Sequence, residues 1–245
     1  DNFKRISKAA VHTMLAKLHL MRGVWSEALA AADAVLSGDF QLVDNYMDLF
    51  DGSLSTEAIW QLDFNSNDGN QLAFHYNPSP AGRHEAGPSQ LIVDAFATND
   101  ARRASIAATP NSANGAWQVT KYSDAATGSD QPILLRLADV LLIKAEALAE
   151  LSRFDEATVL FNLVRERSVP GEPISLSANN FKNVILNERM LELAWEGGNR
   201  WLDMLRTSLG ADYLRSKGRD VCKLKWPIPR IEVNTNTALE QGGCY

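Results

Sequence analysis

Hydrophobic positions recur along this chain with two different periods. Over residues 6 to 36, ISKAAVHTMLAKLHLMRGVWSEALAAADAVL, alanine, leucine and valine return every three to four residues, the spacing of helices with a buried face. Gly23 interrupts the run and Ser26 is placed as a cap, so the segment reads as a helical hairpin whose first helix runs from Phe3 to Arg22. Residues 134 to 165 repeat this plan 129 positions later: Val140 answers Val11, Ala145 answers Ala16, Phe154 answers Trp25, Ala157 answers Ala28 and Val164 answers Val35. Period two appears in EAIWQLDF, 57 to 64, where Ala58, Trp60, Leu62 and Phe64 alternate with Glu57, Gln61 and Asp63, and again in AWQVTKY, 116 to 122. Both read as short strands, the first with one buried face. Between them, residues 65 to 90 carry so many Gly, Asn and Pro breakers that they read as loop, after which Pro88 opens a helix through Ala97.

Each hairpin resembles a tetratricopeptide repeat, with Ala16, Gly23, Trp25 and Ala28 in one and Ala145, Ser152, Phe154 and Ala157 in the other. Copies so far apart in sequence cannot be neighbours in a plain tandem array. The fold class is therefore mainly α: a helical-hairpin scaffold with long loops, short β-strands and, because Pro227 and Pro229 bracket Ile228, an extended C-terminal tail. The chain reads as one α-helical domain over 1–245. Its parts are a hairpin at 1–40, a loop and strand insertion at 41–132, and a second hairpin, a buried helix and the tail at 133–245.

The buried helix begins near Phe181. Phe181, Val184, Ile185, Leu191 and Trp195 share one arc, and Leu186, Met190, Leu193 and Ala194 lie opposite, leaving narrow polar strips at Lys182, Arg189 and Glu196 and at Asn183 and Asn187. Glu188 and Glu192 point into the apolar arc. A desolvated carboxylate there needs a cation. Arg200, Arg206, Arg136, Arg165 and Arg167 are the candidates, and Glu188, Glu192, Arg200 and Arg136 are assigned to a structural ion-pair network. A general acid and base, or half of a metal site, is the competing reading.

The net charge of -6 and the absence of a basic run speak against nucleic acid as a partner. No apolar run is long enough to span a membrane. The chain opens at Asp1 and enters a helix at once, which reads as a processed or partial product. Cys222 and Cys244 have no metal-like spacing, and the sequence leaves their pairing open. G-x-S-x-G, Walker, G-x-G-x-x-G and H-E-x-x-H patterns are missing, so no catalytic residue, metal or cofactor is assigned. A loop as long as 65 to 90 inside a helical scaffold is where function concentrates. There His75, Tyr76 and Arg83, with Trp117 on the adjoining strand, offer aromatic faces beside polar donors, which suits a sugar ring.

LLRLADVLLIKAEAL at 134 to 148, NLVRERSV at 162 to 169, ERMLELAWEG followed by RWLDMLR, the PIP turn at 227 to 229, and PSQLIVDAF with DARR at 88 to 103 together resemble the C-terminal part of the SusD/RagB family. Gly198 and Asn199 lengthen the usual gap before the RW pair, the tail reads QGGCY, and Ala101 stands where Gly is common. The resemblance implies non-catalytic binding of an oligosaccharide or polysaccharide at the outer face of the outer membrane. It implies delivery to a SusC-like TonB-dependent transporter, a lipid anchor absent from this chain, and further helical repeats. The alternatives are a helical-repeat scaffold that grips a protein, and a glycoside hydrolase built on Glu188 and Glu192.

Overall fold

The computed structural model describes residues 4–53, 55–109 and 117–245. Phe3, where the first helix is expected to start, and Ala116, the first residue of the second expected strand, lie outside them. The chain divides into two compact units, Asp1–Gly197 and Gly198–Tyr245. The boundary falls at a Gly-Gly pair inside the segment 133–245 that the sequence reads as continuous.

In the first unit α1 (Lys8–Arg22) and α2 (Trp25–Leu36) form the expected hairpin. Ser7 caps α1 by accepting from the Ala10 amide at 3.1 Å. The second helix begins two residues earlier than Ser26 as its cap would set it, with Val24 at the cap position, because Gly23 adopts φ 67° and turns the chain at once. The second hairpin is α5 (Leu137–Glu150) and α6 (Phe154–Ser168), and Ser152, the counterpart of Gly23, takes the same left-handed turn at φ 62°. Ala10, Ala16, Ala28, Ala32, Val35, Val140, Ile143 and Ala147 share one core. The two hairpins therefore pack directly on each other, and the insertion between them is looped out. One difference separates them: Val140, Ile143 and Ala147 are fully buried, whereas their counterparts Val11, Met14 and Leu18 are exposed.

The insertion holds β1 (Ala58–Gln61), α3 (Leu72–Tyr76), α4 (Gln90–Ala95), β2 (Ile106–Ala108) and β3 (Trp117–Val119). β4 (Ile133–Arg136) then runs straight into α5, so the second hairpin opens with a strand that helical periodicity does not reveal. β1 pairs antiparallel with β4 through Ala58 to Arg136, Trp60 to Leu135 and Gln61 to Ile133, and β2 pairs antiparallel with β3. β1 does not bury one face only. Glu57 and Gln61 are as buried as Ala58 and Ile59, while Trp60 is partly exposed, because Arg136 and Arg167 lie ready to pair with Glu57.

α7 (Phe181–Glu192) is buried along both apolar arcs. It stops at Glu192, where the chain turns through Trp195 at φ 60° and Gly197 at φ 54°. Of the strips expected to meet water, Lys182, Asn183 and Asn187 do. Arg189 and Glu196 are buried instead: Arg189 pairs with Asp139 at 2.8 Å and Glu196 with Arg136 at 2.7 Å.

The second unit contains α8 (Asn199–Arg206), α9 (Leu209–Ser216) and α10 (Arg230–Thr235). The tail is thus extended only around Pro227 to Pro229, with a short helix after it. Cys222 and Cys244 form a disulfide. No helix among the described residues is long and apolar enough to cross a membrane.

Candidate functional site

The loop after β1 is built as two clasped segments. The Asn70 side chain donates to the carbonyls of Gly128 at 2.9 Å and Asp130 at 2.7 Å, and its backbone amide also reaches Gly128, which binds residues 65–71 to the turn at 123–131. α3 then projects His75 and Tyr76, and the returning chain is stitched to it by Arg83 to Phe74, His84 to Asn77 and Glu85 to His75 backbone bonds. Irregular backbone is held in this way where no ladder exists to satisfy its donors.

The four residues singled out from the sequence do not converge on one point. Glu85 lies 2.9 Å from both His75 Nδ1 and Arg83 Nη2, so a carboxylate bridges these two at the surface. Tyr76 instead stacks on Tyr122, with ring centroids 5.9 Å apart and planes at 17°. Trp117 packs on the cluster of Val93, Phe96, Ile106, Met190 and Leu191 and is a partly buried plug, while its carbonyl lies 2.9 Å from His84 Nε2.

Tyr122 leads to what the sequence did not single out. It lines a cavity of about 210 Å³ together with Phe50, Asp51, Gln61, Asp130 and Gln131. Gln61 Nε2 donates to Gln131 Oε1 at 2.5 Å, and the Asp130 carboxylate accepts from the amides of Ser123 and Asp124. Burial pushes up the acid of Asp130 and the phenols of Tyr76 and Tyr122. Lys121 closes one side. Its ammonium bonds the Ala194 carbonyl at 2.8 Å and Glu196 at 2.5 Å and lies 4.5 Å from the Phe50 ring centroid. Burial lowers its pKa to about 8 although Glu196 acts in the opposite sense. These residues come from β1, the segment just after β3, and two turns, a convergence without a linear motif.

Glu188 and Glu192 lie deep in the first unit. Arg102 reaches Glu188 at 2.5 Å and Glu192 at 3.2 Å, Arg165 reaches Glu188 at 3.2 Å, Arg136 reaches Glu192 at 2.6 Å, and Arg167 also pairs with Glu192. Asp100, Glu57 and Glu196 extend the network. Burial alone pushes the Glu192 carboxyl up; Arg167, Arg136 and Arg102 outweigh it and hold the group well below the usual carboxylate range. A hydrolytic pair must open on a cleft, and these carboxylates are 2% and 0% exposed. Arg102, in the turn Ala101–Ser105, is the cation that sequence reasoning missed; the only local signal is the Asp100 two residues before it. Arg200 belongs to the second unit, where burial lowers its pKa and Asp203 opposes that.

The model of the SusD family matches residues 104–219. SusD-like protein P2 of Formosa agariphila is 28% identical over an alignment that takes in 97% of this chain and 56% of that protein. Residues 104–219 and the relatives thus liken this chain to the SusD family. The chain spans little more than half of this SusD-like relative. Among solved structures, a SusD superfamily protein from Bacteroides vulgatus superimposes with a TM-score of 0.83 at 20% identity, covering 100% of this chain and 64% of that one. Surface glycan-binding protein A from Bacteroides thetaiotaomicron, in complex with laminarihexaose, gives a TM-score of 0.80 at 19% identity over 98% of this chain and 64% of its own. The mainly helical SusD fold is thus common to all three.

Proposed function

We propose that this SusD-like chain contributes to non-catalytic glycan binding at the outer face of the outer membrane. The observation that carries the reading is the likeness, over nearly the whole chain, to SusD-like proteins, one of them solved with laminarihexaose bound. The site supports it: an aromatic pair, Tyr76 on Tyr122, has one ring in the wall of a polar cavity, and the neighbouring His75 on α3 forms a surface cluster with Arg83 and Glu85. Stacking plus hydrogen bonding to hydroxyls is the chemistry of sugar recognition, and it makes no demand on a nucleophile or a metal.

In this reading the glycan passes to a SusC-like TonB-dependent transporter and the protein is held to the membrane by a lipid anchor. The exposed stripe of Val11, Met14, Leu15 and Leu18 on α1 supports a protein contact on the helical side. The test is calorimetry with neutral oligosaccharides, laminarihexaose included, on the protein and on a Tyr76→Ala variant, with a hydrolysis assay of every ligand bound. Binding without cleavage that weakens about tenfold in the variant is expected; cleavage, or affinity indifferent to Tyr76, overturns the reading.

A further inference from the structure

The cavity beneath Tyr122 carries selectivity of its own. At about 210 Å³ it has room for roughly seven waters of ~30 Å³ each, the bulk of one sugar ring rather than of an oligosaccharide. One side is apolar: the rings of Phe50 and Tyr122 meet at 75° with centroids 6.3 Å apart. The polar side is fixed in advance. Gln61 donates to Gln131, and Gln131 in turn lies 3.4 Å from Asp63, which sets the orientation of both amides. An ionised carboxylate accepts about four hydrogen bonds. Asp130 has two such bonds, from the amides of Ser123 and Asp124, and Asp51 accepts from the Ser53 amide. Both keep acceptor capacity at the cavity wall.

The charge of that wall is one-sided. Asp51, Asp124 and Asp130 line it, and the only lining cation among the described residues is Lys121. The Lys121 side chain is sealed from solvent and its ammonium is held by Glu196 and the Ala194 carbonyl, so it compensates Glu196 rather than the cavity. An entering anion would meet carboxylates and no accessible counter-charge, and like charges brought together in a confined site repel. A hydroxyl meets the opposite situation, because its donated bond to a carboxylate is charge-assisted.

We infer that this cavity takes a single neutral sugar residue, its hydroxyls on Asp51 and Asp130 and its C–H face against the apolar side where partly exposed Phe50 meets Tyr122, and turns away uronate, sialate and sulfated residues. The inference rests on the glycan-binding reading above and adds the class of sugar to it.

Calorimetry with matched neutral and anionic oligosaccharides, laminarihexaose and oligogalacturonate among them, tests it on the protein and on Asp51→Lys and Asp130→Asn variants. Asp51 stands at the exposed rim, so its reversal is expected to leave the melting temperature unchanged, and Asp130→Asn removes a charge at constant shape. Neutral ligands are expected to bind at least about tenfold more tightly than anionic ones, and Asp51→Lys to shrink that ratio to roughly threefold or less. Equal binding of anionic ligands, or a ratio that neither variant changes, overturns the inference while leaving glycan binding intact. Calcium bound at the cavity in competition with sugar also overturns it. If no glycan binds the unmodified protein, the broader reading fails and takes this one with it.

Discussion

Arg102 shows how much one side chain can decide. It is fully buried, donates three bonds to Asp100 and one each to Glu188 and Glu192, and so joins the turn Ala101–Ser105 to the middle of α7. Burial would lower the guanidinium pKa; Glu188, Asp100 and Glu192 overcome it and raise it. Removing one partner of a buried pair is costly because the charges left behind stay desolvated. Arg102→Ala is therefore expected to destabilise the first unit by about 3–5 kcal/mol, read as a lowered urea midpoint. Arg200→Ala, at a half-exposed position in the second unit, is expected to cost much less; an equal loss for the two would show that Arg102 is not central to the network. From sequence alone, the need of Glu188 and Glu192 for cations was legible in the helical arc. Which arginine answered was not, because Arg102 lies 86 residues before Glu188 on a segment with no periodicity of its own.

Among the elements, the turn at 123–131 is the one on which the candidate site depends. Gly128 adopts φ 67°, and a Cβ added there would press into the Asn70 carbonyl oxygen. Gly128→Ala is expected to cost more than about 1 kcal/mol, since the added side chain meets both an unfavourable backbone region and a close approach. It should also weaken any ligand held in the cavity, because Ser123, Asp124 and Asp130 are carried on this turn. Thermal melting and calorimetry on the same preparation check both effects; a fully stable variant with full affinity would remove the clasp from the argument. The helical hairpins teach the complementary lesson. Ala16, Ala28, Ala145 and Ala157 were legible as packing positions and all are fully buried. β4 was not, because Ile133–Arg136 continues an apolar run into α5 and the strand exists through its pairing with β1.

For the whole molecule, buried ionisation sets the dependence of stability on pH. Burial alone pushes Asp139 up, and Lys17 and Arg189 more than reverse it, leaving its carboxyl, like that of Glu192, below the ordinary range. A depressed folded-state pKa contributes stability that is complete above the unfolded value, near ~4 for these groups, and is lost as pH falls through the folded one. The urea midpoint is expected to hold between about pH 7 and 5 and to drop steeply below roughly pH 4, with a shallower drop in Asp139→Asn. A midpoint that stays level into strong acid would contradict this account.

The sequence by itself determined the two helical hairpins and α7, the small residues that let the hairpins pack, and the burial of two carboxylates on α7, since these follow from local periodicity and from the cost of an unpaired charge; α3 and α10, in segments it read as loop and extended tail, it did not. It also carried the likeness to the SusD family, through short motifs in a fixed order. Tertiary structure alone decided three further things: the direct stacking of hairpins separated by a long insertion, the choice of Arg102, Arg136, Arg165 and Arg167 as counter-ions, and the cavity where Gln61, Tyr122 and Asp130 meet. The reason is common to all three. Each depends on residues tens of positions apart whose meeting is fixed by chain closure, on which a local pattern of polar and apolar residues carries no information.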